Sequence, residues 1–191
     1  MEKYVDWKPW LDDYYARYQR AIFAPEIRKS LTQFHDLAVS IRERKCKLMF
    51  AGNGASASIA SHGAVDFTKQ AKVRGIDFNE PNLITAFSND FGFQNYMAKA
   101  VEHYADDGDA VVLISVSGRS PNAVEAARYA KSRKLPVVSF NGTSPDNPLR
   151  ALSDIEFFIE SRAYNVVECT HMIWLTTVVD MVVGKAEYSV S

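Results

Sequence analysis

From Lys47 onward the chain alternates short apolar or β-branched runs with stretches of helical periodicity, and this rhythm constrains its fold more than any other feature. The runs are Lys47–Ala51, Leu83–Phe87, Ala110–Ser115, Val137–Asn141 and Ile155–Ile159, each of strand length. Between them, helices are expected over Ser56–Lys69, Gly92–Tyr104, Ser120–Arg133 and Asn165–Lys185. A strand–helix–strand repeat builds a parallel sheet covered on both faces, so the expected class is α/β: a doubly wound, five-stranded parallel sheet flanked by helices. Ligands of such sheets bind at the carboxyl ends of the strands.

Residues 1–45 read as an N-terminal helical extension, in which Trp7, Trp10, Tyr14 and Tyr18 recur every three or four positions as one aromatic stripe. Such a stripe packs on the core or on a neighbouring subunit. Asp12 and Asp13 beside it argue against a stacking platform for nucleic acid. There is no internal repeat or low-complexity linker, and 191 residues suffice for one substantial core. The expectation is therefore a single domain over 1–191, with an α/β core over 46–185.

The 22 basic and 23 acidic residues nearly cancel, which excludes wholesale electrostatic binding to nucleic acid or to a membrane surface. Cys46 and Cys169 form no CxxC pair, and Met1–Trp7 lacks the apolar core of a signal peptide, so a cytoplasmic setting is expected. The longest apolar run, Val166 to Val183, carries Glu168, His171 and Asp180. Those side chains are expensive in lipid, which favours a buried or interfacial helix over a membrane span.

Two strand-to-helix turns carry the chemistry. In Val111–Pro121 an apolar strand runs into Ser115, Ser117, Gly118, Arg119 and Ser120, with Pro121 suited to the first helical position. Hydroxyls, a glycine and the free N–H groups of a helix start together make a phosphate cradle. The turn Gly52-Asn53-Gly54-Ala55-Ser56 repeats the logic. Each alone reads equally as ordinary turn and cap chemistry; the two together point to a polyhydroxylated, phosphorylated ligand spanning neighbouring strand ends. No Walker lysine or GxGxxG fingerprint accompanies them. On the helix after Gly54, His62 and Asp66 share a face four residues apart, which suits acid–base work, a metal or a structural hydrogen bond. On the last helix Asn165, Glu168 and Thr176 share another face, and a carboxylate in so apolar a helix requires a partner or a purpose.

With Gly52-Asn53-Gly54-Ala55-Ser56, Ser88-Asn89-Asp90-Phe91-Gly92-Phe93 and Ser115-Val116-Ser117-Gly118-Arg119-Ser120 in that order, the chain resembles the sugar isomerase (SIS) domains from Ile27 to Val183, and among them the phosphoheptose isomerases. The resemblance implies a SIS fold and a ketose–aldose isomerase that acts on sedoheptulose 7-phosphate or a related ketose through an enediol. It also implies a homotetramer with sites between subunits. Ser115, Ser117 and Ser120 match the family's phosphate serines, Asn53 and Ser56 match sugar and phosphate contacts, and Asp90 matches an acidic residue that meets substrate hydroxyls.

Other positions depart from the pattern. The catalytic glutamate corresponds to Asp66, one methylene shorter, and the histidine one turn earlier to His62. The family's aspartate and glutamine on the last helix correspond to Asn165 and Glu168, and its second catalytic histidine to Thr176, which cannot do an imidazole's work near neutral pH. Arg119 stands where a small polar residue is usual, adding charge beside the phosphate or lying in solvent.

The expected catalytic set is therefore Asp66, Glu168 and His62. The expected substrate contacts are Asn53, Gly54, Ser56, Asp90, Ser115, Ser117, Arg119, Ser120 and Asn165. No cofactor is required by this reading. Zinc at His62, Asp66 and Glu168, with water in the fourth place, is left open. His171 offers another imidazole, turned about 60° from Glu168 on an ideal helix. The absent histidine keeps a second reading alive, a non-catalytic sugar-phosphate-binding or regulatory protein, and a third is altered chemistry on a related sugar phosphate.

Overall fold

The structure is a computed structural model that describes residues 6–189. The outermost parts of the expected extension and domain, 1–5 and 190–191, lie outside the described residues. Five parallel strands, β1 (Lys47–Gly52), β2 (Arg74–Asp77), β3 (Ala110–Ser115), β4 (Val137–Gly142) and β5 (Ile155–Ile159), form one sheet in the order β2-β1-β3-β4-β5. The doubly wound α/β fold is thus as expected. The chain leaves β1 toward one edge and returns to place β3 on its other side, so the strand order switches between β1 and β3. There Gly52 lies level with Ile114, and the two following turns emerge side by side.

Helices cover both faces: α1 (Lys8–Ile22), α2 (Ile27–Glu43), α3 (Ala55–Lys69), α4 (Pro81–Phe91), α5 (Tyr96–Tyr104), α6 (Pro121–Ser132), α7 (Pro148–Leu152) and α8 (Tyr164–Val183). One core joins α2, α3 and α8 to the sheet around Phe34, Phe50, Phe67, Phe140, Phe157 and Trp174. The other joins α5 and α6 to the opposite face around Met49, Met97, Val111, Leu113 and Val137. The N-terminal region divides accordingly. Phe34, Ala38 and Ile41 of α2 are fully buried core, while Trp7 just before α1 and Trp10 and Tyr15 on it stay exposed, and Trp10 stacks on Tyr14. By length and composition α8 could cross a membrane, but half of its residues are buried inside the protein, as in the core helix of a folded domain. Cys46 and Cys169 are both free thiols.

One expected strand is corrected. Leu83–Phe87 lies within α4, and the missing strand is Arg74–Asp77. The Glu80 carboxylate accepts the Leu83 N–H at 2.8 Å and Pro81 occupies the first turn, so the local signals start a helix. Leu83, Ile84 and Phe87 then pack on the second core as one helical face. Strand β2 is at the sheet edge and carries Arg74, Gly75 and Asp77 in four residues, so it lacks the apolar run that marks the other strands. Gly75 is bound there by an exchange with Thr68: its N–H donates to Thr68 Oγ1 at 2.8 Å and its carbonyl accepts from the same hydroxyl at 3.3 Å. Helix α5 begins at Tyr96 rather than Gly92, because Gly92, at φ +81°, closes α4.

Candidate functional site

Beyond the carboxyl ends of β1 and β3 lies a pocket of about 180 Å³ lined by Asn53, Ser56, Ser115, Ser117, Ser120, Tyr164 and Glu168. The serine turn is shaped locally. The Gly118 N–H donates to the Ser115 carbonyl at 2.9 Å, and Gly118 adopts φ +60°. A Cβ at Gly118 would lie 2.0 Å from Asn147 Oδ1, so only glycine lets this turn pass under the β4–α7 loop. The Ser115 hydroxyl donates to Ser120 Oγ at 3.1 Å, and Ser117 Oγ accepts the Arg119 N–H at 3.2 Å. Neither α3 nor α6 is capped by the side chain at its N-cap position. Both helix starts therefore offer their positive dipole ends to an anion.

The β4–α7 loop backs this turn. Asn147, buried, donates through Nδ2 to Asn141 Oδ1 and to the Ser144 carbonyl, both at 2.9 Å, while its Oδ1 accepts the Arg150 N–H at 2.9 Å. The Leu149 N–H donates to the Gly118 carbonyl at 3.1 Å. Beneath, the fully buried His171 contacts the Asn141 carbonyl through Nε2 at 3.2 Å, and burial pushes its pKa down to about 4. It is thus a neutral core residue, not a replacement for the imidazole missing at Thr176. The Thr176 hydroxyl itself donates to the Met172 carbonyl at 3.0 Å, within its own helix.

Of the expected contacts, Asn53, Ser56, Ser115, Ser117 and Ser120 come together with Glu168. Gly54 adjoins them as the residue before α3. The others lie outside the pocket's lining. Arg119 is exposed and its guanidinium pairs with Asp146 at 2.8 Å; the Ser144 hydroxyl and that guanidinium hold the Asp146 carboxyl below its usual range. Asp90 sits near the exposed end of α4, accepting from Asn89 Nδ2 at 2.9 Å. Asn165 is exposed, and its carbonyl accepts the Tyr18 hydroxyl at 3.4 Å.

His62 and Asp66 do meet, Nε2 to Oδ2 at 3.1 Å, on a partly exposed face of α3. Glu168 does not join them. Among the described residues of one chain no three His, Cys, Asp or Glu side chains converge as metal ligands. Two residues escaped the sequence reading. Tyr164, in the first turn of α8, lines the pocket. Asn122 exchanges two amide hydrogen bonds with Asn53, each 2.9 Å. Its place just after Pro121 is the signal that could have marked it, since that first turn of α6 adjoins the serine turn.

The SIS domain family matches residues 13–142. The chain is 31% identical over 160 residues to a phosphoheptose isomerase of Fusobacterium nucleatum, covering 81% of this chain and 82% of that one. It is 29% identical over 181 residues to a phosphoheptose isomerase of Trichlorobacter lovleyi, covering 90% and 89%. The fold matches the solved structure of a phosphoheptose isomerase from Francisella tularensis with a TM-score of 0.85 at 23% identity, over 95% of this chain and all of that one.

Proposed function

The chain belongs to the SIS domain family, among its phosphoheptose isomerases, and from that premise we propose that it is a sugar-phosphate isomerase acting at the serine-lined pocket, with sedoheptulose 7-phosphate as substrate. The observation that carries this reading is the placement of Glu168. Its half-buried carboxylate shares one pocket with four serines and has no hydrogen bond or ion pair to any described residue, which leaves it free to take a proton.

Among the described residues, no lysine or arginine lines the pocket. Ser56, Ser115, Ser117 and Ser120 bind the phosphate through hydroxyls, with the helix starts behind them supplying positive dipole ends. Asn53 meets the sugar hydroxyls. Anchored there, the ketose presents the carbon beside its carbonyl to Glu168. As general base, Glu168 removes that carbon's proton; the C–H electrons form the enediol double bond while the carbonyl oxygen gains a proton. Return of the carbon proton to the former carbonyl carbon, with loss of the proton on the neighbouring oxygen, gives the aldose.

The oxygen protons are assigned to Asp66, oriented by His62. That pair stands apart from the Glu168 pocket within one chain, so the same reading calls for a homotetramer with sites completed between subunits, in the cytoplasm. No step is routed through zinc. Incubation with sedoheptulose 7-phosphate in deuterated water tests the proposal: deuterium should appear on the carbon beside the carbonyl together with aldose product. Binding without exchange overturns it and leaves a sugar-phosphate-binding protein.

A further inference from the structure

We infer that Asn122 is a positioning residue for the sugar phosphate: it holds the Asn53 side chain and thereby sets the turn after β1 against the serine turn after β3. The inference rests on the pocket being a sugar-phosphate site. The ladder joining β1 to β3 runs to Gly52 and Ile114. Beyond it, among the described residues, the amide pair is the one hydrogen-bonded link between the turn after β1 and the first turn of α6, which continues the serine turn. Asn53 Nδ2 donates to Asn122 Oδ1 and Asn122 Nδ2 donates to Asn53 Oδ1, each at 2.9 Å.

A primary amide has two N–H groups and an oxygen with two lone pairs. Asn122 spends one N–H and one lone pair on Asn53, and its oxygen also accepts the Ala123 N–H at 3.0 Å. It is 1% exposed and outside the pocket lining, so it acts through Asn53 rather than on a ligand. Asn53, which lines the pocket, keeps one N–H and one lone pair uncommitted. Its rotamer is therefore chosen before any ligand arrives, and binding does not bear the cost of ordering it.

The test is a double-mutant cycle on sugar-phosphate affinity. Asn122→Ala should raise KM for sedoheptulose 7-phosphate roughly ten-fold, while kcat changes less than about two-fold, as expected when binding alone is lost. On an Asn53→Ala background the same substitution should cost nothing further. Equal losses in both backgrounds, or a fall in kcat at unchanged KM, would overturn the inference.

Asn122→Asp guards against a misfolded alanine variant, because it keeps the side chain's shape. Its ionised carboxylate accepts from Asn53 Nδ2 but cannot donate to Asn53 Oδ1; protonated, it does both. Its affinity relative to the parent should recover as pH falls, and recovery should vanish in the Asn53→Ala/Asn122→Asp double variant. Titration of Glu168 or simple repulsion of the phosphate acts in both backgrounds, so recovery in both defeats the proposal. The variants are also read by calorimetric Kd. A parent that binds sedoheptulose 7-phosphate without isomerising it ends the isomerase reading and leaves this test standing.

Discussion

At the carboxyl ends of β1 and β3, neutral hydroxyls and amides are held by one another and by the backbone, and the fully buried His171 is bound to the carbonyl of Asn141 at the end of β4. On α3 the His62–Asp66 pair consists of two ionisable groups on a single helix face, with the imidazole half exposed and, among the described residues, no third hydrogen-bond or ion-pair partner. The first region is organised to hold something before it arrives. The second is a local pair whose geometry comes from i,i+4 spacing alone. In the proposed reading, holding the ligand is a property of turns assembled by the sheet. The proposed proton chemistry is divided between Glu168 inside that assembly and Asp66 outside it.

The largest expected effect attacks the chemistry while leaving the holding intact. Glu168→Gln should lower turnover about a thousand-fold, and calorimetry should still detect sugar-phosphate binding. Unchanged turnover would remove Glu168 from the mechanism and with it the division just drawn.

Next comes the buried imidazole. His171 is neutral in the folded protein, with its pKa pushed down to about 4 by burial, whereas in the unfolded chain it takes a proton near 6.5. The unfolded state therefore binds more protons between these values. The stability present above about pH 6.5 falls as pH drops through the window to about 4, by about 3 kcal/mol in all. Urea midpoints measured across that range should fall less steeply for His171→Gln than for the parent. Parallel curves would show that His171 is not the group responsible.

The smallest effect belongs to the exposed pair. His62→Gln should change the unfolding free energy by less than about 1 kcal/mol, as read from the same urea titrations. A larger loss would make the pair a structural element and blur the contrast with the pocket.

Much of the fold was legible because strands β1, β3, β4 and β5 are short apolar runs bounded by turns and helices. Leu83–Phe87 misled because an apolar stretch of five residues has no decisive periodicity, and the Glu80–Pro81 helix start outweighs its strand propensity. Strand β2 stayed hidden because its four residues, Arg74 to Asp77, include two charged side chains and a glycine and so make no apolar run. In the site, serines and glycines announced themselves by their spacing within one turn. Arg119 did not: a charge beside a phosphate motif reads as a ligand contact, and only its neighbour Asp146, from the next strand's loop, shows that it is already paired.

By itself, then, the sequence determined the alternation of strand and helix, the two hydroxyl-rich turns and the His62–Asp66 spacing, since all of these depend on residues within a turn or two of one another. Only the tertiary structure decided that Asn53 and Asn122 share two hydrogen bonds across 69 positions, that Asn147 backs Gly118, and that Glu168 enters the serine pocket while Asp66 does not. Those relations depend on which strands lie side by side and how α8 is rotated against the sheet, and both are set by core packing rather than by any local pattern.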